Sequence, residues 1–170
     1  MSIIKERRKI NSAIRKAKTV FLMAHKDLDL DALGSQIGMY MLLKGKKKKC
    51  YIIIDDKTHE LGVEKVLREL EGCLEIIKSE KLDEYLYPRK SKNLLIILDT
   101  NKDKLVQNKE VLSKFNNKLV IDHHETGRTT IKDATLIIDT KVSSTCGMIA
   151  RLIEYYDVEI GGASVSYSGY

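Results

Sequence analysis

Three apolar runs in this chain end in acids or imidazoles, and this pattern constrains the fold more than any other feature. Thr19–Ala24 leads into His25, Asp29 and Asp31; Asn93–Leu98 into Asp99; and Lys118–Ile121 into Asp122, His123 and His124. Each run is short and rich in aliphatic side chains, the pattern of a strand buried on both faces. Cys50–Ile54 reads as another buried strand, and Thr135–Asp139 as a shorter one on an edge. Helix-like spacing intervenes, as in Leu33, Ile37, Met41 and Leu42 after the first run. Buried strands alternating with amphipathic helices predict an α/β fold: an open, mostly parallel sheet with helices on both faces. Parallel strands place their carboxyl ends on one edge. The acids and imidazoles are therefore expected to meet there, although they lie up to about a hundred positions apart.

The remaining chain fits one domain of 170 residues, expected to span 1–157 with a flexible tail at 158–170. Residues 2–18 read as an amphipathic helix with Ile3, Ile4, Ile10, Ala13, Ile14 and Ala17 on its apolar stripe. A helix at 32–43 should end at Gly45, with the lysines of Lys44–Lys49 near the negative end of its dipole. Further helices are predicted at about 59–72, 105–115 and 145–156, a short strand around Ile76 and Ile77, and a helical turn at Leu82–Leu86. His59 reads as an ordinary surface or core histidine, and Asp27 and Asp139 as turn formers. No apolar stretch reaches the ~20 residues of a membrane span. The N-terminus lacks the apolar core of a signal peptide. Cys50, Cys73 and Cys146 are isolated, odd in number and without metal-site spacing, which suits reduced thiols in the cytoplasm. A net charge of +6 suits an anionic partner. Its cations are spread along helices and aromatics are 6% of the chain, which disfavours a dedicated nucleic-acid-binding surface.

In an extended segment alternate side chains share a face, so Asp29 and Asp31 can point the same way. Carboxylates held this close resist joint ionisation unless a cation lies between them. Carboxylate oxygens with some imidazole and no thiolate suit Mn²⁺, Mg²⁺ or Co²⁺. Two such ions sharing a carboxylate would acidify a water and hold phosphoryl oxygens for in-line displacement. Asp122 beside His123 is placed to fix that ring's tautomer.

These residues resemble the DHH phosphoesterases, named for the Asp-His-His that stands here at 122–124. The family's first motif, His-x-x-x-Asp-x-Asp followed by a small residue and Gly, matches His25, Asp29, Asp31 and Gly34. The second matches Asp99-Thr100, and Ser143-Ser144-Thr145 opening a helix is also typical. The resemblance covers about residues 10–157 and is nearest to the catalytic domain of bacterial cyclic-di-AMP phosphodiesterases. It implies one Mn²⁺ on His25, Asp29 and Asp99 and a second on Asp31, Asp99 and His123, with Asp99 bridging. His124 would face the substrate phosphate, His123, His124 and Asp122 would serve catalysis, and Ser143, Ser144 and Thr145 would contact substrate. The product would be the linear dinucleotide.

This chain departs from that pattern in two respects. Asn101 replaces the usual His of the second motif, with an altered substrate contact expected. No Asp for a fourth motif is found beyond Asp157 and Glu159, and the DHH-associated domain that reads the base is missing. The resemblance therefore implies a weak second metal and low activity unless another chain, as in a homodimer, supplies the missing parts. It also implies a cytoplasmic domain of relatives that are membrane-anchored at full length. The same motifs serve RecJ-type exonucleases, short-RNA nucleases and pyrophosphatases. A catalytically incomplete nucleotide- or partner-binding domain is the alternative outside enzymes.

Overall fold

The apolar runs pair edge to edge in one sheet whose strands all run the same way. The strands are β1 (Thr19–Met23), β2 (Lys49–Ile53), β3 (Ile76–Ile77), β4 (Asn93–Leu98), β5 (Asn117–Asp122) and β6 (Thr135–Ile138). Their order is β3-β2-β1-β4-β5-β6, with β6 on the expected edge. The computed structural model of the protein describes residues 2–55 and 60–160, the last four as backbone alone. The helices are α1 (Arg7–Lys16), α2 (Leu30–Gly45), α3 (Leu61–Glu69), α4 (Lys109–Leu112) and α5 (Thr145–Ile160).

Every residue of β1 and β4 is buried. Val20, Leu22, Ile96 and Leu98 pack on the side of α1, α2, α3 and α5, where Ile10, Met39, Val63 and Ile149 meet them. Phe21, Met23, Leu95 and Ile97 face the opposite layer, formed by Leu82 of a 3₁₀ turn (Ser79–Glu84), Val106, Val111 of α4 and Ile131. The two-sided burial expected from uninterrupted apolar runs is what the sheet shows.

This strand order positions the site. The chain runs outward from β1 through β2 to β3, then returns to lay β4 on the other side of β1. A crevice forms where the winding reverses, at the carboxyl ends of β1 and β4. The pairings Met23↔Ile97 and Leu98↔Ile121, continued past the strand ends, bring His25 level with Asp99 and Asp99 level with Asp122.

Several boundaries differ from the sequence expectation, each for a local reason. Helix α2 starts at Leu30, because the Asp29 carboxylate accepts the Ala32 amide at 2.9 Å and acts as the cap. Its last turn closes one step later than Gly45 would place it: Lys47, at φ 60°, takes the left-handed conformation instead of the glycine. The helix predicted over 105–115 shrinks to Lys109–Leu112. Residues 105–107 pair instead with the end of the first unit, Lys26 N–H donating to Leu105 O at 2.8 Å and Gln107 N–H to Ala24 O at 3.1 Å. That exchange places Val106 in the core and a wall beside His25. His59 and the tail at 161–170 lie outside the described residues; α5 itself extends to Ile160.

Helices α2 and α5 approach closely over two glycines. A Cβ on Gly38 would sit 2.8 Å from Ile149 Cγ2, and one on Gly34 would sit 2.9 Å from Cys146 Sγ. This contact sets the N-terminus of α5 against the crevice. Gly38→Val should therefore destabilise the fold by about 2–3 kcal/mol through overpacking, read as a lowered midpoint in chemical denaturation. An unchanged midpoint would mean that the helices are free to separate.

Candidate metal centre

His25, Asp29, Asp31, Asp99, His123 and His124 all line one open pocket of about 790 Å³ at the crevice. Asp99 is central to it. The residue is 2% exposed and sits at φ 64°, a left-handed backbone that costs a non-glycine residue of order 1 kcal/mol. Its two carboxylate oxygens face opposite ways. Oδ2 lies 3.1 Å from His25 Nε2, while Oδ1 lies 3.4 Å from His123 Nε2 and accepts the Thr145 hydroxyl at 3.0 Å.

On the β1 side, His25 Nδ1 donates to Lys26 O at 2.7 Å, which turns Nε2 toward Asp99 and Asp29. On the β5 side, His123 Nε2 is 3.5 Å from Asp31 Oδ2. The amides of Thr145 and Cys146, at the start of α5, donate to the two Asp31 oxygens at 3.2 and 2.7 Å. That helix terminus therefore orients the carboxylate while favouring its charge.

Two groups of potential ligand atoms arise, those within each lying within 4.8 Å of one another: His25, Asp29 and Asp99; and Asp99, Asp122, His123 and His124. Asp99 belongs to both. Asp122 is fully buried and pairs with His124 rather than His123, its Oδ1 accepting Nδ1–H at 2.7 Å. His124 thus presents Nε2 outward from a half-exposed side chain. Asn101, also fully buried, donates to Asp122 Oδ2 at 2.8 Å and to His124 O at 3.0 Å. Its amide is committed to the Asp-His-His segment, so it holds that turn in place where a substrate contact was expected. Ser144 caps α5 through Gly147 N–H at 2.9 Å, and Thr145 is buried against Asp99. Neither these residues nor Ser143 line the pocket. Lys26, Lys102 and Leu105 do, although no motif or periodicity in the sequence singled them out.

The electrostatics of the centre call for a cation. The Asp31 carboxyl is pushed above its ordinary value, first by burial and then by the Asp99 charge, against the opposing Cys146 amide. The His25 imidazole is raised from 6.5 to about 9, chiefly by its hydrogen bond to Asp99, despite the opposing effect of burial. Protons thus stand in for positive charge among converging acids. A divalent ion with affinity for oxygen and imidazole would replace them, and the donor set of carboxylates and imidazoles without thiolate fits that group.

A match over residues 19–168 to the family model described as "DHH family, N-terminal domain" is decisive for kinship. The chain belongs to the DHH family. It is 28% identical over 148 residues to the cyclic-di-AMP phosphodiesterase PdeA of Listeria monocytogenes serotype 1/2a (strain 10403S), covering 86% of this chain and 22% of that protein. Its likeness to the cyclic-di-AMP phosphodiesterase GdpP of Bacillus subtilis (strain 168) has the same extent. The chain thus spans about a fifth of the length of these relatives. Among solved structures, an exopolyphosphatase-related protein from Bacteroides fragilis shares the fold at a TM-score of 0.68 and 22% identity, over 87% of this chain and 42% of that one.

The raised His25 value has a sign that can be tested. In chelated protein its stabilisation is complete below pH 6.5 and is lost as pH rises through about 9. A metal ion must displace that proton. Mn²⁺ binding at about pH 7.5 should therefore release protons, making the calorimetric heat depend on buffer ionisation enthalpy. Identical heats in phosphate and Tris would contradict the assignment of His25 as a ligand.

Proposed function

We propose that this DHH domain is a Mn²⁺-dependent phosphodiesterase that opens cyclic-di-AMP to the linear dinucleotide through a two-metal centre. The observation that carries the reading is Asp99, whose two oxygens face two separate imidazole–carboxylate sets at the reversal of the sheet. His25, Asp29 and Asp99 would hold one ion, and Asp31, Asp99 and His123 the other. Bound there, two divalent cations supply an acidified water and neutralise phosphoryl charge.

The remaining roles belong to the chain's own side chains. The carbonyl of Lys26 keeps His25 in the tautomer that offers Nε2. Thr145 and the α5 amides keep Asp99 and Asp31 from turning away. His124, its Nδ1–H given to buried Asp122, presents Nε2 to the substrate from the exposed side of the pocket. Asn101 holds the Asp-His-His turn through Asp122.

The substrate is supported by the cyclic-di-AMP phosphodiesterases among the relatives. The domain is proposed to act in the cytoplasm, where nucleotides are found, and no helix among the described residues is long and apolar enough to cross a membrane. The deciding assay supplies cyclic-di-AMP, the linear dinucleotide, a short RNA and pyrophosphate in parallel with Mn²⁺. Cyclic-di-AMP should be consumed fastest, and preferential cleavage of RNA or pyrophosphate would reassign the substrate. Asp99→Ala should cut turnover by more than about a hundredfold, beyond the usual effect of losing a partner that only orients a ligand. Lys47→Ala, remote from the pocket, should leave turnover within about twofold of the parent. Equal losses from both changes would mean that the centre lies elsewhere.

A further inference from the structure

The pocket that holds the acids and imidazoles also contains two lysines with no established role. Lys26 and Lys102 line it together with Asp27, Asp29, Asp31 and Asp99. Neither lysine forms an ion pair among the described residues. Lys102 is also held in place. Its segment bridges Thr130 in antiparallel fashion, and its amide donates to Thr100 Oγ1 at 3.1 Å. Its ammonium rests over Gly127, where an added Cβ would come within 2.9 Å of Nζ.

We propose that Lys26 and Lys102 form an anion subsite that takes a phosphate other than the one being attacked. The inference rests on the phosphodiesterase reading and adds to it the residues that select substrates with two phosphates. The ions are proposed to lie on His25, Asp29, Asp31, Asp99 and His123, which leaves the two ammonium groups of the same pocket for the second phosphodiester of a dinucleotide. A monoester would engage the metal centre and leave the lysines unused. Lysine suits this task as a compact point charge that meets a phosphate oxygen without demanding bidentate geometry.

The test measures binding as well as turnover. The affinity of the linear dinucleotide, with two phosphates, is compared with that of AMP, with one, in Mn²⁺ by calorimetry. Lys102→Gln should weaken the dinucleotide about tenfold and change AMP by less than about twofold. Lys26→Gln should act in the same direction. Thermal melting verifies that each variant is folded. With the single-phosphorus ester bis(p-nitrophenyl) phosphate, KM and kcat should be unaffected by Lys102→Gln, whereas KM for cyclic-di-AMP should rise. Equal weakening of dinucleotide and AMP, or no weakening of either, overturns the subsite. Wild-type protein that binds the dinucleotide selectively but hydrolyses no ester would overturn the phosphodiesterase reading while the subsite stands.

Discussion

The structure depends on a buried carboxylate, Asp99, placed between two imidazoles and beside a second carboxylate. Burial and the Asp99 charge push the neighbouring Asp31 carboxyl above its ordinary value, so these acids are best accommodated beside positive charge. Protons on His25 and Asp31 supply it partly, and divalent ions would supply it more fully. Metal dependence is thus the condition under which this arrangement of acids is most stable, rather than an accessory to the chemistry.

The surrounding fold keeps that arrangement rigid. Parallel pairing fixes His25, Asp99 and Asp122 at one level across three strands. The start of α5 then closes on the acids, its amides on Asp31 and its first side chain on Asp99. That approach depends on glycines at 34 and 38, so a packing constraint between two helices becomes a positional constraint on the proposed metal ligands. Rigid elements hold such ligands more accurately than loops can.

The sequence was most informative where burial is absolute. Runs such as Asn93–Leu98 admit little other than a central strand, and parallel topology then obliges their terminal acids to converge. It was less informative where tertiary pairing overrides local preference. Residues 105–107 carry helix-compatible side chains, yet the open edge beyond β1 captures their backbone. Side-chain partnerships were the least legible. Asp122 could have served either neighbouring histidine, and only the turn geometry gives it to His124. Asn101 looked like a substituted substrate contact, whereas its burial and four-way bonding make it part of the scaffold. Lys102 gave no signal at all, because its place in the pocket is set by the fold and not by any local motif.

Anomalous diffraction from crystals soaked in Mn²⁺ measures the central claim most directly. Two peaks about 3.5–4 Å apart, one toward His25 and Asp29 and the other toward Asp31 and His123, with Asp99 between them, are the predicted result. A single peak, or a pair of peaks not shared by Asp99, would contradict the account of Asp99 as the bridge on which the site is built.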